Sequence, residues 1–242
     1  MLKRIVVATV LGGVLVAPVA NPEAFARTDD HAKAVSDFGT LEAQLLGVQR
    51  RLLEVPDADR AAFAELLAQP NTGIIRLLPR EKYDGKLPVS GGGSYYSFAR
   101  LTHEYGHGSD IGLEQGSLRV GFAGADWGLL ADLGQVDIAA VTLESAGAAF
   151  LAAVEVPREE AMARASHRAG WAGHRTEGLV FKSTLPSEPG HTYVLRSINY
   201  DDSDVLVVFR VVRMDQDGSL VVAWRRLAEY PKPRLIRTPD PE

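Results

Sequence analysis

Cysteine is absent from all 242 residues, so disulfides and attachment of a lipid through cysteine are both excluded. Long apolar runs are missing too. The longest, Ile5 to Val16, falls well short of the ~20 residues a spanning helix needs. Basic blocks are lacking, and the formal charge is −5, which argues against nucleic acid or an anionic membrane as partner. Aromatic residues make up only 7% of the chain. They are densest in one stretch, Gly91 to Gly134, which holds six of the eighteen together with most of the motifs.

What is there begins with an address. Lys3 and Arg4 precede the apolar run, and Ala24-Phe25-Ala26 reads as a small-x-small cleavage site. This is the pattern of a secretory signal peptide over residues 1–26. The mature chain is expected to start near Arg27, to carry no membrane span, and to be secreted or periplasmic. Loss of Lys3, Arg4 and Glu23 moves the formal charge from −5 to −6. The remaining length suits one domain with its own core, needing no covalent staple.

Residues 27–38 are polar, without an apolar period, and read as a loose arm. Leu41, Leu45, Leu46, Val48, Leu52 and Leu53 then recur at helical spacing behind Thr40 as N-cap. Asp57 starts a second helix with Phe63, Leu66 and Leu67 that must end by Pro70. These form a helical hairpin within 27–70. Short strands are expected at Ile74 to Leu78 and Val136 to Val141, and a buried helix at Ala146 to Val154. Pro157 suits the first turn of a further helix, with Glu159 and Glu160 at its positive end, fading by Gly170. In the last third, Leu179 to Ser183, His191 to Asn199, Val205 to Met214 and Leu220 to Leu227 read as a four-stranded antiparallel meander. The third strand is apolar on both sides and should be central. Asp217-Gly218 supplies the last hairpin turn, and the Pro-rich tail from Pro231 should be extended and solvent-facing. The fold class is therefore α+β. Residues 71–242 form a β-rich body with a helical insertion near Glu144 to Arg168, packed as one domain with 27–70.

The central stretch contains His103-Glu104-Tyr105-Gly106-His107. This spelling resembles the H-E-x-x-H signature of zinc metalloproteases. The resemblance implies His103 and His107 as zinc ligands one helical turn apart, with Glu104 as general base. Gly108, Ser109 and Asp110 would break such a helix at once. Asp110 and Leu113 stand where the metzincin extension needs glycine and a third histidine. Glu144, Glu159, His167, His174 and His191 are third-ligand candidates without recognisable context.

A G-[SA]-D-x-G-L unit occurs twice, at Gly108 to Leu113 and Gly124 to Leu129. Between the copies, Leu118, Val120 and Phe122 alternate with Ser117, Arg119 and Gly121, the period of a half-buried strand. Each unit reads as a bend in which glycine supplies positive φ and the aspartate accepts backbone N–H groups of its own turn. Paired Asp110 and Asp126 could instead hold calcium, as could Asp201-Asp202-Ser203-Asp204, though neither has EF-hand spacing. Tyr95, Tyr96, Tyr105 and Trp127, beside Arg100, offer amphipathic rings for a ligand surface on which a glycan or peptide can stack. The leading expectation is an exported, non-catalytic binding or structural module without cofactor, serving an unidentified extracytoplasmic ligand or protein. The alternative is a zinc-dependent hydrolase.

Overall fold

The computed structural model describes residues 22–237, with side chains from residue 29 onward. The leader expected at 1–26 therefore lies mostly outside the described residues, although Ala24 to Ala26 fall in the first helix. The chain divides into two compact units at Gln44/Leu45, inside helix α1, Pro22–Leu53. The arm expected at 27–38 is part of that helix. From Asp29 to Phe38 its side chains are exposed. Ala32 and Ala34 are strong helix formers, and Lys33 Nζ bonds Asp37 one turn on at 2.6 Å. Thr40 is not a cap. It sits inside the helix, where its hydroxyl donates to the Ser36 carbonyl at 3.1 Å.

In the second unit, α2 (Asp57–Ala62) and α3 (Ala64–Leu67) follow, broken at Phe63 with φ −111°. Then come β1 (Thr72–Leu77), α4 (Arg80–Tyr83), β2 (Tyr95–Tyr96), β3 (Ile111–Glu114), β4 (Ser117–Arg119) and β5 (Trp127–Asp132). The rest is α5 (Ala146–Ala152), α6 (Glu160–Ala172), β6 (His174–Thr176), β7 (Leu179–Lys182), β8 (Thr184–Pro186), β9 (Thr192–Asn199), β10 (Ser203–Met214) and β11 (Leu220–Glu229). One antiparallel sheet has the order β1-β11-β10-β9-β5-β7-β6, and a smaller one the order β2-β3-β4-β8. This is the α+β architecture expected. The four C-terminal strands all share the larger sheet, but β5 enters between β7 and β9, so only β9, β10 and β11 pair consecutively.

Alternation along the central strand β10 builds both cores. Val205, Val207, Phe209 and Val211 face the smaller sheet and pack with Tyr96, Phe98, Ile111, Leu113 and Leu118. Leu206 and Val208 face the helices on the opposite side. Arg196 is buried there. Its Nε and Nη2 bond Asp204 Oδ1 and Oδ2, each at 2.9 Å, and its Nη1 reaches the Leu151, Ala152 and Val154 carbonyls where α5 ends. That cation meets the negative end of the helix and its orphan acceptors.

Two local expectations are corrected. Val136 to Val141 holds a 3-10 turn, Ile138–Ala140, because Asp137 caps it by accepting from Ala139 N–H at 2.9 Å. Pro157 lies outside α6, whose start is held back by an extended bridge between Glu159 and Ile236. The tail is extended, but it is tied down by Ile236 N–H to Arg158 carbonyl at 2.7 Å and by Asp201 N–H to Pro233 carbonyl at 2.7 Å.

Candidate functional site

Residues 103–107 are not helical, so the two imidazoles do not share a face. His103 is largely enclosed, with Nδ1 3.0 Å from the Tyr95 carbonyl and its ring against Tyr96. Burial holds it below the ordinary histidine pKa, outweighing hydrogen bonds to the Tyr95 and Gly93 backbone. It is therefore a neutral N–H donor at neutral pH. His107 turns away and places Nδ1 2.7 Å from Asp126 Oδ2. Glu104 is ion-paired with Arg100, which also holds Asp202 at 2.9 Å. Among the described residues no three His, Asp or Glu side chains gather in a metal-holding group. The zinc geometry implied by the spelling is thus not formed. The cause is local: Gly106 and Gly108 have φ of 90° and 92°. A Cβ at Gly108 would also lie 2.8 Å from the Arg100 guanidinium carbon and 2.9 Å from Asp202 Oδ2, so a side chain here would combine an unfavourable φ with displacement of that ion pair.

The two unit aspartates are buried, and they do accept backbone N–H groups, but not those of their own turns. Asp110 Oδ2 takes Phe98 N–H at 2.7 Å and Ala99 N–H at 3.3 Å, and its Oδ1 takes Asn199 Nδ2 at 2.9 Å. Asp126 Oδ1 takes Tyr200 N–H at 3.0 Å while Oδ2 holds His107. Both carboxylates therefore converge on the consecutive residues Asn199 and Tyr200 where β9 ends. Burial pushes Asp110 up to about 6 against the opposing pull of its hydrogen bonds. Burial likewise raises Asp126, with His107 and the Tyr200 amide pulling it down. Their bonding is filled by protein donors, the pattern of structural carboxylates rather than of calcium ligands.

The expected ligand surface divides. Tyr95, Tyr96 and Trp127 are buried; Trp127 Nε1 faces the Tyr200 hydroxyl at 3.3 Å. Both faces of β2 are covered, so the three rings are packed inside and present no platform. Tyr105 and Arg100 remain exposed. Tyr105 stands on the rim of a cleft of about 280 Å³, which also takes Arg80, Glu114, Arg119, His167 and Trp171.

This cleft has a distinctive charge arrangement. Arg80 Nη1 reaches Glu114 Oε1 at 3.1 Å, Arg119 binds Glu114 Oε2, and the Tyr95 hydroxyl donates to Oε1 at 2.5 Å. Burial pushes the Glu114 carboxyl up, but Tyr95, Arg119 and Arg80 together bring it below its ordinary value. Arg80 also holds Asp84 at 3.1 Å on its outer side. Its guanidinium lies 5.3 Å from the Tyr105 ring centre, and that of Arg119 lies 4.9 Å from the Trp171 ring centre. Trp171 is 51% and Tyr105 45% exposed. His167 is held low by burial first and then by Arg119, so it is uncharged at neutral pH, and its Nε2 is buried without a hydrogen-bond partner. The cleft is thus lined by two cations and one anion between two half-open rings.

Arg80, Glu114, Arg119, His167 and Trp171 were not legible as a group. Glu114 ends β3 and Arg119 ends β4, whereas Arg80 and Trp171 arrive from α4 and α6, remote in sequence. A wider groove of about 580 Å³ beside Arg196 and Tyr230 differs in kind, since Arg196 is fully engaged by Asp204, three carbonyls and the Tyr230 ring at 4.2 Å. The chain matches no family model, no curated protein and no solved structure.

Proposed function

We propose that the protein is an exported, non-catalytic binding module that takes a small ligand carrying an anionic group beside a flat face in the cleft between Tyr105 and Trp171. The observation that carries this reading is the sharing of one carboxylate, Glu114, by two guanidinium groups. The pairing fixes both forks in place, and with Asp84 meeting Arg80 from outside the cleft, the side chains that line it carry two cations against one anion. The exposed rings supply apolar contact at little entropic cost. The unpaired Nε2 of His167 adds a polar group for orientation. Export rests on Lys3, Arg4, the apolar run and Ala24-Phe25-Ala26. The mature N-terminus is expected at or close to Arg27, and intact-mass measurement of secreted material checks this; full-length chain retained in the membrane fraction contradicts it.

Calorimetric titration with glucuronate and benzoate, against glucose and benzyl alcohol as neutral counterparts, tests the cleft. The acids should bind measurably tighter than their neutral partners. Arg119→Ala should weaken them about tenfold, the loss expected for one charge-assisted contact. Trp171→Ala should weaken both members of each pair alike. Equal affinity of acid and neutral partner for the wild type, or acid binding untouched by Arg119→Ala, would remove this function from the cleft.

A further inference from the structure

The described part of α1 leaves Val35, Phe38, Leu41, Leu45, Leu46 and Val48 exposed. Within this set, Phe38, Leu41, Leu45 and Val48 are separated by alternating steps of three and four, which Ala34 and Leu52 extend in either direction. That is a repeat of 3.5 residues, the seam of a helix meant to lie along another helix. The charges beside it are unevenly placed. Between Asp29 and Glu42 the acids Asp29, Asp30, Asp37 and Glu42 outnumber Lys33, while Arg50 and Arg51 end the helix.

We propose that a second copy of this chain covers this face, its α1 running antiparallel to the first. The inference is independent of the cleft. Antiparallel pairing places Phe38 opposite Val48 of the other copy, Leu41 opposite Leu45 and Ala34 opposite Leu52, giving six apolar layers. Asp37 of each copy, whose other partner is Lys33 of its own helix, then also meets Arg51 of the other, and one like pair, Glu42 with Glu42, faces itself. A parallel pair would oppose Asp37 with Glu42 twice and set acidic end against acidic end. The acidic half is also ill matched to an anionic bilayer, which a membrane-binding helix would engage through lysine and arginine.

The absence of cysteine makes the test direct. Sedimentation of the full chain across a concentration series should show a reversible monomer–dimer equilibrium. Leu41→Asp with Leu45→Asp should return it to the monomer mass while the melting temperature of the β-rich unit stays put. Asp37→Arg should raise the dissociation constant about tenfold, and adding Arg51→Asp should restore it. Under mild oxidation, Asp37→Cys mixed with Arg51→Cys should cross-link to each other, whereas Leu45→Cys alone should not. A monomer at every concentration overturns the proposal, as does self-linking of Leu45→Cys without the mixed product. Binding to phosphatidylglycerol vesicles without self-association overturns it equally.

Discussion

Asp110 shows how one carboxylate acquires weight through burial. Phe98 N–H, Ala99 N–H and the Asn199 amide all end on it. Asp110→Ala strands these donors and should cost ~1–3 kcal/mol, toward the upper end because several are lost. Asp110→Asn keeps an acceptor for the backbone pair, and the Asn199 amide can rotate to meet the new NH2 group, so chemical denaturation should show most of the stability retained. The pH dependence separates the variants further. Asp110 titrates near 6 when folded and near 3.8 when unfolded. The folded state therefore holds this proton more tightly, and the cost of ionising it is present above about pH 6 and absent below about 4. Wild type should gain on Asp110→Asn by ~3 kcal/mol on acidification through that window. Parallel pH profiles of the two proteins would contradict the assignment. The aspartates stood out in the sequence because their G-[SA]-D-x-G-L unit is repeated. Their partners did not, since Phe98, Asn199 and Tyr200 are brought by long-range pairing.

At the level of elements, legibility followed burial. β10 announces itself by being apolar at both parities, and its central place follows because only an interior strand is covered on both faces. Phe209→Ala there should cost ~3–5 kcal/mol by urea denaturation. The start of α1, from Asp29 to Lys33, announced nothing, because it is polar and exposed and offers no apolar period. The start of β5 has the spelling of a bend, since Trp127-Gly128-Leu129 repeats a glycine motif; Gly128 is required where its Cβ would sit 2.3 Å from the Arg196 carbonyl oxygen. The Arg196 hub joins β9, β10 and the end of α5. Removing the cation by Arg196→Ala should cost ~3–5 kcal/mol and leave Asp204 charged and unpaired, while the double change Arg196→Met with Asp204→Leu should recover much of it. Equal loss in the single and double variants would show that the pair contributes only through side-chain volume.

At the scale of the whole molecule, two sheets share one core through Tyr96, Phe98, Val207, Phe209 and their neighbours, and the polar clamp at Asn199 and Tyr200 closes one end of that core. Asp110 reaches it from the strand β3 side and Asp126 from the β5 side, so each sheet sends one carboxylate to the same turn. A turn between two strands ordinarily lets its amides trade hydrogen for deuterium within the time of local fluctuation. Here the Tyr200 amide ends on Asp126, a buried carboxylate just ahead of the neighbouring strand β5, and no local opening frees it without parting β5 from β9. Its exchange should therefore be as slow as that of the Phe209 amide in mid-strand, reporting on the unfolding of the entire β-rich unit from a position that looks, by its place in the chain, like the first to open.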